Sequence, residues 1–170
     1  MQVASTESLA STLGRPILAV PGQVGLVQTA VGQARAGSAM EQAYRRYCQA
    51  AAVAFVLVTL YTVPTKLLHG RLGQDWAHSV LHLGSALLAA YAGWPARSPA
   101  PARAFAWAVG VGYLALGCYG WFTRGLLLST PLAIPLGVPE NLFHLLLSVP
   151  ALVVVLLDLR SGRSQVPERG

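Results

Sequence analysis

Four long apolar stretches, separated by short segments that carry most of the charges, constrain this chain more than any other feature. A helix needs about 20 mostly apolar residues to cross the hydrocarbon core of a bilayer. We therefore predict an all-α integral membrane four-helix bundle, with spans at about 50–66, 75–94, 104–123 and 141–159. Tryptophan favours the headgroup zone, and all four tryptophans lie near a predicted span end: Trp76, Trp94, Trp107 and Trp121.

The composition supports a lipid-solvated protein. Charged residues make up only 11% of the chain, whereas a soluble domain is about one-quarter charged. The balance is basic, with 12 Lys and Arg against 6 Asp and Glu. Because the arginines flank the apolar stretches and form no clustered patch, we expect the lipid bilayer as a partner and exclude nucleic acid.

The distribution of basic residues predicts the orientation. Three segments on one side of the predicted bundle carry nine arginines: Arg15, Arg35, Arg45, Arg46, Arg97, Arg103, Arg160, Arg163 and Arg169. The opposite side carries three basic residues: Lys66, Arg71 and Arg124. Basic loops stay in the cytoplasm. We therefore predict a multi-pass protein of the inner (plasma) membrane, with both termini cytoplasmic.

Outside the spans we predict two less ordered segments. Residues 1–39 are rich in Ser, Gly, Gln and Ala and are expected to be disordered or weakly ordered. The transmembrane domain then covers 40–160, and 161–170 form a cytoplasmic tail. Met40 directly precedes the juxtamembrane segment of the first span, so we hypothesise that it is the native start. A native N-terminal sequence that begins upstream of Met40 would contradict this.

A short internal repeat relates the second and fourth spans. An alignment of the two span starts pairs Asp75 with Asn141, His78 with His144, His82 with Ser148, and Ser85 with Ala151. These positions recur three or four residues apart, so each set marks one helix face. We infer two similar helical hairpins. Their symmetry would gather a polar cluster at the outer membrane edge: Asp75, His78, His82, Asn141, His144 and Ser148.

Three interpretations of the histidines stay open. In the first, Asp75 and Asn141 cap their helices and His78 and His144 reach back to the caps, which leaves His82 unexplained. In the second, the protein responds to metal or to protons through His78, His82 and His144, with zinc or another divalent ion as the metal. In the third, His78 and His144 ligate a b-type haem.

The start of the fourth span also resembles a known family. The sequence Asn-Leu-Phe-His-Leu-Leu-Leu-Ser at 141–148 is similar to the Asn-x-x-His-x-x-x-small helix start of a family of small bacterial four-helix membrane proteins. The opening of the third span, 102–110, is similar as well. The resemblance implies the four-helix membrane fold and no activity, because that family has none assigned.

From the sequence alone we favour a non-enzymatic structural or interaction role. No Ser, Cys or Lys lies in register with a histidine and a carboxylate, so nucleophilic catalysis is not indicated. Small residues in the third span, namely Ala106, Ala108, Gly110, Gly112, Gly117 and Gly120, predict close helix packing within the bundle or in a homo-oligomer or membrane-protein complex. The apolar, proline-rich segment 124–140 is expected to lie on the lipid surface; a lid is the alternative.

Overall fold

The computed structural model of the chain describes residues 21–70, 76–128, 130 and 133–163. Four helices confirm the predicted all-α class, and the two strands contain two residues each. The elements are α1 (Pro21–Leu68), α2 (Trp76–Gly93), α3 (Ala100–Tyr119), β1 (Gly125–Leu126), β2 (Ile134–Pro135) and α4 (Val138–Arg163).

The described part of α1 begins within the predicted N-terminal segment. The chain divides into two compact units, with the boundary after Arg35. Residues 21–39 are helical, and residues 1–20 lie outside the described residues. The expectation that 1–39 are disordered or weakly ordered stays a prediction.

Two of the four helices are long and apolar enough to cross a membrane. These are the stretches Val31–Leu68 within α1 and Val138–Gly162 within α4. The helices α2 and α3, with 18 and 20 residues, lie within a few residues of the predicted spans 75–94 and 104–123. The predicted helices therefore exist.

The start of α4 requires a correction. The sequence predicts that this helix begins at about residue 141. It begins at Val138 instead, and the backbone N–H of Asn141 donates to the Gly137 carbonyl oxygen at 2.9 Å. Pro139 is tolerated because the first helical turn needs no N–H there, and the Glu140 charge favours the positive end of the helix dipole.

Tyrosines of α1 attach it to α4 at two levels. The buried Tyr47 hydroxyl donates to the Leu147 carbonyl oxygen at 3.1 Å. The Tyr44 hydroxyl donates to the Asp158 carboxylate at 3.0 Å, and Arg103 of α3 lies 3.6 Å from the same oxygen. Hydrogen bonds of this kind each contribute about 1 kcal/mol. These contacts fix how α1, α3 and α4 pack against each other.

Small residues of α3 let α4 approach closely, as the sequence predicts. Ala106, Gly110, Gly117 and Gly120 are buried. A Cβ on Gly110 would lie 3.0 Å from the Leu152 side chain, and one on Gly117 would lie 2.9 Å from that of Leu145. The other small pair does not take part, because Ala108 and Gly112 are exposed. One face of α3 therefore serves the packing on α4.

The connection between α3 and α4 folds back on itself. β1 and β2 pair antiparallel, with Gly125 opposite Pro135 and Leu126 opposite Ile134. Ala133 and Leu136 are buried, so the second half of the connection is packed on the protein. The expectation of a segment that only lies on lipid is wrong for these residues. We call 124–137 the α3–α4 hairpin.

Candidate metal centre

Three of the four histidines lie near the N-terminal ends of two helices. His78 and His82 occupy the first two turns of α2, four residues apart and therefore on one face. His144 lies in the second turn of α4. All three are buried, with 6%, 6% and 2% of the residue exposed. The structure therefore brings together the three residues that the sequence proposes as metal ligands.

The distances between the three rings are close to those of a metal site. One ring nitrogen from each histidine lies within 4.8 Å of the others. Tetrahedral zinc with Zn–N bonds of about 2.1 Å requires nitrogens about 3.4 Å apart. The rings of His78 and His82 already pack edge to face, with centroids 4.3 Å apart.

Two of these histidines carry a buried ring nitrogen that makes no hydrogen bond within the described part of the chain. They are Nε2 of His82 and Nδ1 of His144. A buried polar atom without a partner costs about 1–3 kcal/mol. A neutral imidazole nitrogen offers the lone pair that a metal ion accepts, so an ion between the rings would offset this cost.

Aromatic side chains from three helices surround the histidines. The fully buried Phe55 of α1 packs against His82 and Phe143, with ring centroids 5.7 Å away in both cases. Tyr113 of α3 meets His144 edge on, with centroids 4.6 Å apart. These ring contacts surround the imidazoles with apolar groups, and an apolar environment strengthens electrostatic interactions.

The three rings also line a cavity of about 140 Å³. Its charged lining residues in the described part of the chain are Lys66 of α1 and Glu140 of α4. The Lys66 ammonium donates to the Ser79 hydroxyl at 3.0 Å, which holds it at the cavity wall. The remaining lining residues are Val58, Tyr61, Thr62, His78, His82, Pro135, Pro139, Phe143 and His144.

The other members of the predicted polar cluster do not point to ligation. Asp75 lies outside the described residues. Ser148 is fully buried, and its hydroxyl donates to the Leu145 carbonyl oxygen at 3.2 Å. Asn141 is buried against Gly120 of α3. The prediction that Asn141 caps α4 is wrong, because the helix starts three residues earlier.

Sequence reasoning missed two parts of this centre. The aromatic shell of Phe55, Tyr113 and Phe143 gives no local signal, since single aromatics in apolar helices are ordinary packing residues. The sequence does mark Lys66, because it is the only lysine of the chain and ends the first predicted span. That position contributes to the topology prediction and gives no indication of a place beside the histidines.

Comparison with known proteins adds no relative from which a function could be transferred. No family model matches the chain, and no curated protein or solved structure is significantly similar to it. The resemblance to four-helix membrane proteins therefore stays a prediction, and the histidine centre is the feature that indicates a function.

Proposed function

We propose that this chain is a four-span membrane protein that binds one divalent transition-metal ion through His78, His82 and His144. The observation that carries the proposal is the convergence of three buried imidazoles within 4.8 Å. Imidazole suits zinc, copper, iron and nickel, and zinc commonly takes three histidines. We use zinc as the probe ion.

Exposed apolar side chains support the membrane part of the proposal. Each helix carries a large aliphatic residue that is more than half exposed: Leu60 in α1, Leu88 in α2, Val111 in α3 and Leu146 in α4. Soluble proteins rarely expose apolar surface of this extent. A lipid environment accommodates it on all four helices, including α2 and α3, which are shorter.

Metal binding accounts for the histidines better than capping does. Capping requires Asn141 to stand just before the first helical residue. The first residue of α4 is Val138, so Gly137 occupies that position. Capping also leaves His82 without a role, although its ring lies beside that of His78. A metal ion accounts for all three rings with one interaction.

The geometry favours a small ion over haem. The rings of His78 and His82 touch edge to face, and the adjoining cavity measures about 140 Å³. A planar porphyrin between two axial histidines requires much more room. The structural or interaction role remains the alternative if no ion binds.

We expect one zinc ion per chain in detergent-purified protein, measured by elemental analysis after dialysis against a zinc-buffered solution. The His82→Ala variant should lose this ion, because zinc binding requires the full donor set. An absorption spectrum of the same sample tests the haem alternative, which predicts a Soret band. Wild-type protein without stoichiometric metal would contradict the proposal and leave the structural role.

The proposed topology is tested independently with reporter fusions. Alkaline phosphatase is active only outside the cytoplasm. We expect activity when it is fused after residue 130, in the α3–α4 hairpin, and none when it is fused after residue 98 or at the C-terminus. The nine-to-three distribution of basic residues supports this orientation. The reverse pattern of activity would contradict it.

A further inference from the structure

We propose that the metal ion bound by His78, His82 and His144 keeps a fourth coordination position open toward the cavity, and that this position takes a small anion. The inference rests on the proposed metal centre and specifies its exchangeable ligand.

The number of protein donors is the first argument. Structural zinc sites are closed by four protein ligands, whereas sites with three leave one position for water or another molecule. Among the described residues, the ligand atoms that converge come from His78, His82 and His144. Glu140 also lines the cavity, but its carboxylate lies toward the start of α4: Oε2 is 2.8 Å from the position that a Cβ on Gly137 would occupy.

The size of the cavity limits what can occupy the open position. A volume of about 140 Å³ lies directly beside the three rings. An apolar cavity of about 150 Å³ holds one benzene molecule, so a space of this size suits a ligand of about six non-hydrogen atoms or fewer. Pro135 from the α3–α4 hairpin and Phe143 form apolar walls on this space, which disfavour a larger polar molecule.

The charge at the centre favours an anion over a neutral ligand. Of the described residues that line the cavity, Lys66 is positive and Glu140 is negative, so their formal charges cancel. Three neutral imidazoles add no charge, so the described lining residues do not compensate the two positive charges of the ion. Buried charge is costly unless it is paired. An anion on the ion, beside the Lys66 ammonium, provides the missing negative charge.

Cobalt(II) in place of zinc gives a visible spectrum that reports the ligands of the ion, and azide is the probe anion. We expect azide to change the visible bands of the cobalt-loaded wild-type protein with a saturating concentration dependence. Lys66→Met should weaken azide binding several-fold without weakening cobalt binding, because Lys66 contributes positive charge without ligating the ion. Arg124→Gln is the matched control: it removes a basic residue that does not line this cavity and should bind azide as the wild type does.

The outcomes separate this inference from the metal site on which it rests. If cobalt binds stoichiometrically and azide leaves the spectrum unchanged, the open position is refuted while the metal site stands. If cobalt does not bind, the proposed function and the inference both fail. If Lys66→Met binds azide as tightly as the wild type, the electrostatic argument for an anion is overturned.

Discussion

Replacing His144 with alanine should weaken zinc binding at least about 100-fold, because residues that only support metal ligands already cost 10–100-fold when changed. His144 is the single ligand that α4 contributes, so its loss leaves an ion held by two neighbouring imidazoles of α2. Competition with a zinc chelator in detergent measures the affinity of the wild type and the variant.

His69→Ala is the matched control for this experiment. It removes the remaining histidine of the chain, which is exposed and has its Nδ1 at 2.7 Å from the Thr65 carbonyl oxygen. We expect this variant to bind zinc as the wild type does. Equal zinc affinity of the His144→Ala variant and the wild type would show that the ion is bound elsewhere and would refute the proposed site.

The same substitution should remove the stabilisation by zinc. An ion that binds only the folded protein stabilises it by about 2.7 kcal/mol when its free concentration is 100 times Kd. Thermal unfolding of the wild type should therefore shift to higher temperature with zinc, and unfolding of the His144→Ala variant should not. This measurement separates a metal role from a packing role of His144, since a packing defect would lower stability with and without zinc.

The sequence predicts the helices of this protein well because the signals are physical and local. Apolar stretches of about 20 residues, bounded by Arg, Trp and Pro, leave few alternatives to helices. The ends are less certain, as α4 shows. A proline disfavours the interior of a helix but not its first turn, and only the fold shows that Pro139 lies in the first turn of α4.

The sequence predicts the three candidate ligands of the site but not the aromatic residues that surround them. The spacing of His78 and His82 places both on one face, and the alignment with His144 suggests a common end of the bundle. The enclosing contacts depend on residues far apart in sequence, such as Phe55 on Phe143 and Tyr113 on His144. Helical periodicity shows which face is buried and does not show which helix covers it. The two-hairpin repeat stays a prediction.

Asn141 shows how a long-range contact can replace a local one. Its sequence position suggested a cap, which needs only the residues of its own helix. In the structure Asn141 is buried against Gly120, at the C-terminal end of α3. A Cβ on Gly120 would overlap Oδ1 of Asn141 and lie 2.7 Å from its Nδ2. Because Gly120 has no side chain, the Asn141 side chain fits against it, one helical turn before His144.

Gly120→Ala should therefore destabilise the protein by about 2 kcal/mol or more, as overpacking of a buried site does. The backbone of Gly120 is right-handed, with φ −61° and ψ −14°, so alanine is allowed there and the steric conflict is the only cost. Unfolding in mixed detergent micelles measures the change. Gly112→Ala on the same helix is the control: a Cβ there meets nothing within 4 Å, so stability should stay equal or rise slightly.

A double substitution tests the contact itself. If the added methyl group acts through Asn141, combining Gly120→Ala with Asn141→Ala should cost less than the sum of the two single changes, with a coupling of about 1 kcal/mol or more. Strictly additive costs would show that the methyl group acts elsewhere.

Because Asn141 and His144 are three residues apart on α4, a displaced Asn141 should also disturb the third ligand. The zinc affinity of Gly120→Ala should then fall together with its stability, and the zinc affinity should recover in the double variant.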